Sequence, residues 1–172
     1  MVFILIGMPG CGKSCMGRAI SKKLGLRHVD SDWIIEKRKG KRLSEIIAEE
    51  GVEAFKKIEE ETLLSLKLEN VVFSTGGSAV YYPRAMEYLK SIGTVVYIYC
   101  SYDVIAERLG DLSKRGVVMK DGQTLRELYD ERTELYKKYA DITVDCSGTE
   151  YYKYRSRMIS VMRSVMEYEA NK

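Results

Sequence analysis

Eight consecutive residues constrain this chain more than any others: Gly7-Met8-Pro9-Gly10-Cys11-Gly12-Lys13-Ser14. They follow an apolar run, Val2-Phe3-Ile4-Leu5-Ile6, and lead into the helix-forming stretch Cys15 to Leu24. That order is strand, glycine loop and helix, and the loop fits G-x-x-x-x-G-K-[ST] at each fixed position. Glycines let the backbone N–H groups turn inward as an anion nest, and the new helix aims its positive end at the same point. Residues Gly10-Cys11-Gly12-Lys13-Ser14-Cys15 therefore form the expected phosphate cradle, with Lys13 on the terminal phosphates and Ser14 on the accompanying Mg²⁺. The dinucleotide pattern G-x-G-x-x-G fails on spacing, because Cys15 stands where its third glycine belongs. A nucleoside triphosphate, ATP, is the expected ligand.

Other chemistries have little material. His28 is the only histidine, so a Ser-His-Asp site or a multi-histidine metal centre has little to draw on. Four scattered cysteines (Cys11, Cys15, Cys100 and Cys146) give no disulfide framework and read as small packing residues. The 172 residues suit one domain, residues 1–172, and 45% hydrophobic with 31% charged residues is ordinary globular composition. A net charge of +3, with both signs interspersed, does not suggest a nucleic-acid partner. No apolar run approaches a membrane span, and the first strand at Val2 leaves no room for a signal peptide, so the expected location is the cytoplasm. With no apolar surface stripe left over, the expected state is a monomer.

Further along, strands alternate with helices. Leu26–Val29 predicts a second strand that delivers Asp30-Ser31-Asp32 at its carboxyl end, where ligands bind in open α/β sheets. Ser31 or Asp32 is the expected cap of the next helix, Trp33–Arg38. Leu43–Glu50 and Val52 to about Glu69 read as amphipathic helices. Lys56 is expected to pair with Glu60 on the solvated face of the second. Val71–Ser74 is a buried strand, but no aspartate ends it, which leaves Asp30 as the better metal-associated acid. Gly76-Gly77 after that strand reads equally as a turn or as a wall that a substrate approaches closely. Pro83–Ser91, Tyr102–Leu109, a Thr124-capped stretch to about Ala140 and about Glu150–Glu169 are further helices, with strands at Thr94–Cys100 and Ile142–Asp145. Residues 110–123 carry three glycines and no periodicity, and Lys114, Arg115 and Lys120 suit a mobile lid that closes on phosphates. The expected fold is a three-layer α/β/α sandwich with a five-stranded parallel sheet.

With these pieces placed, the chain resembles the shikimate kinases, a branch of the P-loop kinases, over nearly its whole length. The likeness rests on Gly7 to Ser14, Asp30-Ser31-Asp32, Gly51 to Glu59, Thr75 to Val80, Arg115 and Arg132 to Ala140. The resemblance implies transfer of the ATP γ-phosphate to the 3-hydroxyl of shikimate with Mg²⁺. It also implies that Lys13 holds phosphate, Ser14 binds Mg²⁺ and Asp30 acts on it through water. Asp32 would orient and deprotonate the attacking hydroxyl, within helices at about residues 31–69 that bind the acceptor. Gly76 and Gly77 would offer N–H groups, Arg132 would grip the substrate carboxylate, Arg115 would enter with the lid, and Arg108 would lie against the adenine. Three departures fall in the acceptor half: the family has arginine where Lys56 stands, a third glycine where Ser78 stands, and proline-leucine after the lid arginine where Gly116-Val117 stands. Lysine lacks the planar fork that clamps a carboxylate. The alternative reading is a kinase of a different small hydroxy acid or amino acid on the same scaffold.

Overall fold

The computed structural model describes residues 1–110, 117–120, 122–148 and 150–171. Five parallel strands form one sheet in the order β2-β3-β1-β4-β5: β1 Val2–Ile6, β2 Arg27–Asp30, β3 Val71–Ser74, β4 Thr94–Tyr99 and β5 Ile142–Asp145. Every residue of β1 and β3 is buried, as a sheet covered on both faces requires. The covering helices are α1 Lys13–Leu24, α2 Ser31–Lys39, α3 Leu43–Glu50, α4 Val52–Ser65, α5 Pro83–Ile92, α6 Tyr102–Leu109, α7 Leu125–Tyr139 and α8 Tyr151–Ala170. A single 3₁₀ turn, Ala79–Tyr81, precedes α5.

Register places the functional ends together. Ser74 pairs with Leu5 on one side and with Asp30 on the other, so β1, β2 and β3 finish at one level. The Ser74 hydroxyl then donates to the Lys13 carbonyl and contacts His28 Nε2 at 2.9 Å, tying β2 and β3 to the first turn of α1. Gly17 makes room for that tie, because a Cβ there would lie 2.7 Å from both His28 Nε2 and Ser74 Oγ. Helices α2, α3 and α4 carry a small separate core of Ile35, Ile46 and Phe55, which Val118 completes.

Local chemistry moves several expected boundaries. β2 is an edge strand of four partly exposed residues, shifted one position from Leu26–Val29, with Asp30 as its last member. Asp30, rather than Ser31 or Asp32, caps α2: its Oδ1 accepts the Asp32 N–H at 3.0 Å. α4 stops at Ser65 instead of running to about Glu69, because Leu66 turns extended and its carbonyl accepts from the Tyr88 hydroxyl. Thr124 caps α7 as expected, in a reciprocal box with Glu127. Positions 111–116 and 121 of the expected lid, Lys114 and Arg115 among them, lie outside the described residues.

Candidate active site

The phosphate loop has the backbone its glycines allow. Gly10 and Gly12 take φ of 80° and 98°, a region disfavoured for residues with a Cβ. The Gly12 carbonyl accepts the Met16 N–H and opens α1, leaving the first N–H groups of the helix without helical partners. Lys13 is buried, and its Nζ donates to the Gly7 and Met8 carbonyls at 2.8 and 3.0 Å, spanning the loop like a strut. Ser14 and Cys15 are exposed beside it.

The loop forms one side of a cleft of about 510 Å³ that Asp32, Phe55, Glu59, Gly76, Ser78 and Arg132 also line. Gly76 and Gly77 are where the opposite walls meet. A Cβ on Gly76 would lie 2.7 Å from Glu59 Oε1 and 3.0 Å from Asp32 Oδ1, and one on Gly77 would meet Pro9 and stand 3.1 Å from Arg132 Nη1. The paired glycines therefore permit close approach, whatever turn they also make. The Gly76 N–H is taken by Ser31 Oγ at 2.8 Å, whereas the Gly77 N–H has no partner among the described residues.

Three ionisable groups in the cleft are in unusual surroundings. Burial, then the charges of Asp30 and Glu59, push Asp32 up to about 7, against the opposing pull of Lys13 and the Ser31 hydroxyl. Glu59 is 4% exposed and is also pushed up by burial. Its Oε2 accepts from the Tyr82 hydroxyl at 2.7 Å, and Ser78 Oγ lies 2.7 and 2.6 Å from its two oxygens. Arg132 is 1% exposed, with no ion pair among the described residues. Its Nε donates to the Tyr81 hydroxyl, its Nη2 to the Val118 carbonyl, and its guanidinium carbon sits 5.0 Å from the Tyr81 ring centre.

Not every expected residue faces this cleft. Lys56 pairs with Glu53 at 2.6 Å, not with Glu60, and does not line the cleft. Asp30 borders a smaller hollow with Arg18, His28 and Trp33. Arg108 is exposed on α6, its Cβ 3.8 Å from where a Gly10 Cβ would be, so it lies against the loop from outside. Cys100 and Cys146 are pushed up to about 12 by burial and act as packing groups. Glu59 was not among the expected site residues, yet helical phase points to it: with Phe55, Thr62 and Leu63 it shares the buried face of α4.

The donor set fits a magnesium nucleotide. Ser14 stands at the cleft beside the helix terminus and offers a single hydroxyl oxygen there. Mg²⁺ favours such a site, because it keeps several waters and phosphate oxygens as ligands.

Comparison with known proteins agrees with this chemistry. The shikimate kinase family model matches residues 9–163. A shikimate kinase of Bacillus anthracis is 39% identical over 145 residues, covering 84% of this chain and 87% of that protein. The solved shikimate kinase of Acinetobacter baumannii, in complex with shikimate, superposes with a TM-score of 0.86 at 28% identity, over 95% of this chain and 93% of that one. The shikimate kinase of Aquifex aeolicus gives 0.81 at 32% identity, over 99% and 98%. The chain belongs to the shikimate kinase family.

Proposed function

We propose that this cleft moves the γ-phosphate of ATP onto the 3-hydroxyl of shikimate. What carries the reading is one convergence: a phosphate loop, a carboxylate poised near neutrality and a buried guanidinium meet around Gly76 and Gly77. Lys13 and the N–H groups of the loop hold the triphosphate. Arg132, already stripped of water, takes the substrate carboxylate through Nη1, the group that faces Gly77. Asp32 accepts the proton of the attacking hydroxyl as the new O–P bond forms and the bond to the β-bridging oxygen breaks, leaving ADP. A base near 7 suits that task at neutral pH. Ser14 would hold Mg²⁺, with Asp30 acting through water, and the ion would supply charge neutralisation at the phosphates. Arg108 bears on the adenine and Arg115 on the transferring phosphate; both assignments rest on the family resemblance. Ser78 borders the acceptor half, whereas Lys56 stands outside it, paired with Glu53.

The family match favours shikimate over another hydroxy acid or amino acid as acceptor. We read the chain as one kinase domain, monomeric and cytoplasmic, without a nucleic-acid partner. No described helix is long and apolar enough to cross a membrane. A coupled ADP-release assay over shikimate, quinate, gluconate and homoserine tests the reading. Shikimate should turn over with kcat/KM above ~10⁴ M⁻¹s⁻¹, and a value below ~10² with faster turnover of another acceptor overturns it.

A further inference from the structure

We infer that Tyr81 is a positioning residue for the acceptor carboxylate: it occupies the Nε edge of Arg132 and turns the Nη1 edge toward the cleft. The inference rests on the reading of Arg132 as the carboxylate anchor and deepens it. Arg132 Nε lies 3.3 Å from the Tyr81 hydroxyl, and a guanidinium only donates, so the phenol oxygen accepts. That leaves the phenol hydrogen for Glu131, whose carboxylate is hydrogen-bonded to the same hydroxyl. Tyr81 thus ties two consecutive residues of α7, accepting from one and donating to the other. Because Nε carries a single hydrogen, the fork that joins Nε with an Nη is closed to any ligand. Nη2 is anchored on the Val118 carbonyl, and Nη1 stands beside Gly77. A carboxylate therefore has to approach from the Nη1 edge.

The brace is built to hold. The Arg132 guanidinium carbon is 5.0 Å from the centre of the Tyr81 ring, so the ring supports the group that its hydroxyl anchors. Burial, first among the causes, pushes Tyr81 above the ordinary phenol range, and the hydroxyl keeps the hydrogen it donates. The Tyr81 hydroxyl, ahead of Lys120, holds Glu131 below the usual carboxylate range, so the acceptor at the far end stays charged at neutral pH. Tyr81 also closes the 3₁₀ turn that begins directly after Ser78, and its N–H donates to the Ser78 carbonyl at 2.9 Å. One short element therefore supplies both the glycine-side wall of the cleft and the support of its buried cation.

Tyr81→Phe keeps the ring and deletes the hydroxyl. In ligand-free protein the Nε–H resonance of Arg132, assigned by its loss in Arg132→Lys, should be sharp in wild type and broadened by exchange with water in Tyr81→Phe. Initial rates at saturating ATP should show the KM for shikimate rising about three- to tenfold while the KM for ATP stays within about twofold. In the Arg132→Lys background the same change should move the KM for shikimate by less than about twofold, because a positioning residue acts only through its partner. An unchanged Nε–H resonance, an unchanged or lower KM for shikimate, an equal factor in both backgrounds or an equal loss against ATP overturns the inference and leaves the acceptor reading standing. A KM for shikimate untouched by Arg132→Lys itself overturns that reading, and the inference with it.

Discussion

Arg132→Lys probes the acceptor half most directly, because the surroundings of Arg132 fix the size of the effect. The guanidinium is buried and bound only to neutral groups, the Tyr81 hydroxyl and the Val118 carbonyl. Nη1 has no acceptor among the described residues and stands beside Gly77. The cost of removing this charge from water is therefore borne before substrate arrives, and a docking carboxylate meets a cation with no direct ion pair among the described residues, only the nearby charge of Glu59. A hydrogen bond to a charged group is worth about 1.5–3 kcal/mol, a factor of about 10 to 100 in affinity. Lysine keeps the charge but loses the fork and both anchoring bonds. Initial rates at saturating ATP should show the KM for shikimate rising by that factor while the KM for ATP holds. The methyl ester of shikimate completes a double cycle. Wild type should lose on the ester about what the variant loses on shikimate, and the variant should scarcely distinguish the two. A shikimate KM within about threefold of wild type, or an equal loss against ATP, refutes Arg132 as the carboxylate anchor.

Asp32→Asn should abolish transfer and leave ADP binding by calorimetry intact. In wild type, the base must be ionised, so kcat/KM should fall as pH drops through about 7 and level off above it; a profile flat from pH 6 to 8 refutes the role. Lys56→Arg should lower the KM for shikimate severalfold if the longer, forked side chain leaves Glu53 and reaches the acceptor; no change or a rise argues that α4 does not serve the carboxylate. Ser78→Ala removes the closest hydroxyl from a buried carboxylate and should cost about 1–3 kcal/mol in urea unfolding; unaltered stability would mean that the Tyr82 bond alone satisfies Glu59.

What the sequence disclosed tracks how local the determining contacts are. The loop from Gly7 to Ser14 is contiguous, so its glycine pattern, helix start and ligand class could be read without neighbours. So could α7, whose cap and capping partner, Thr124 and Glu127, are three residues apart. β2 was misplaced by one position because a four-residue, half-exposed edge strand has no hydrophobic alternation to fix its phase. The end of α4 was overrun because its terminator, the Tyr88 hydroxyl on the Leu66 carbonyl, is 22 residues away. Nothing in Asp30-Ser31-Asp32 itself decides that Asp30 is the residue whose side chain caps α2. Glu59 stands in a run of three glutamates, which reads as a solvated face until the helix is docked and Ser78 and Tyr82 arrive from 19 and 23 residues on.

That same carboxylate links two of the departures from the family pattern, Lys56 and Ser78. Glu59 is on the buried face of α4, and Lys56, one turn earlier, is drawn to the exposed Glu53. A buried carboxylate left without a cation within pairing distance needs hydroxyl donors, because burial without hydrogen bonds is costly. Ser78 answers that need from the wall that glycine would otherwise leave bare, and Tyr82 adds a second donor. The serine is thus turned toward Glu59, and the hydroxyl that departs from the family pattern does not stand free in the space for the acceptor. Glu59 is thus satisfied by hydroxyls, and on the proposed reading the substrate carboxylate falls to Arg132. Arg132 is accordingly the residue on which acceptor affinity should depend most steeply.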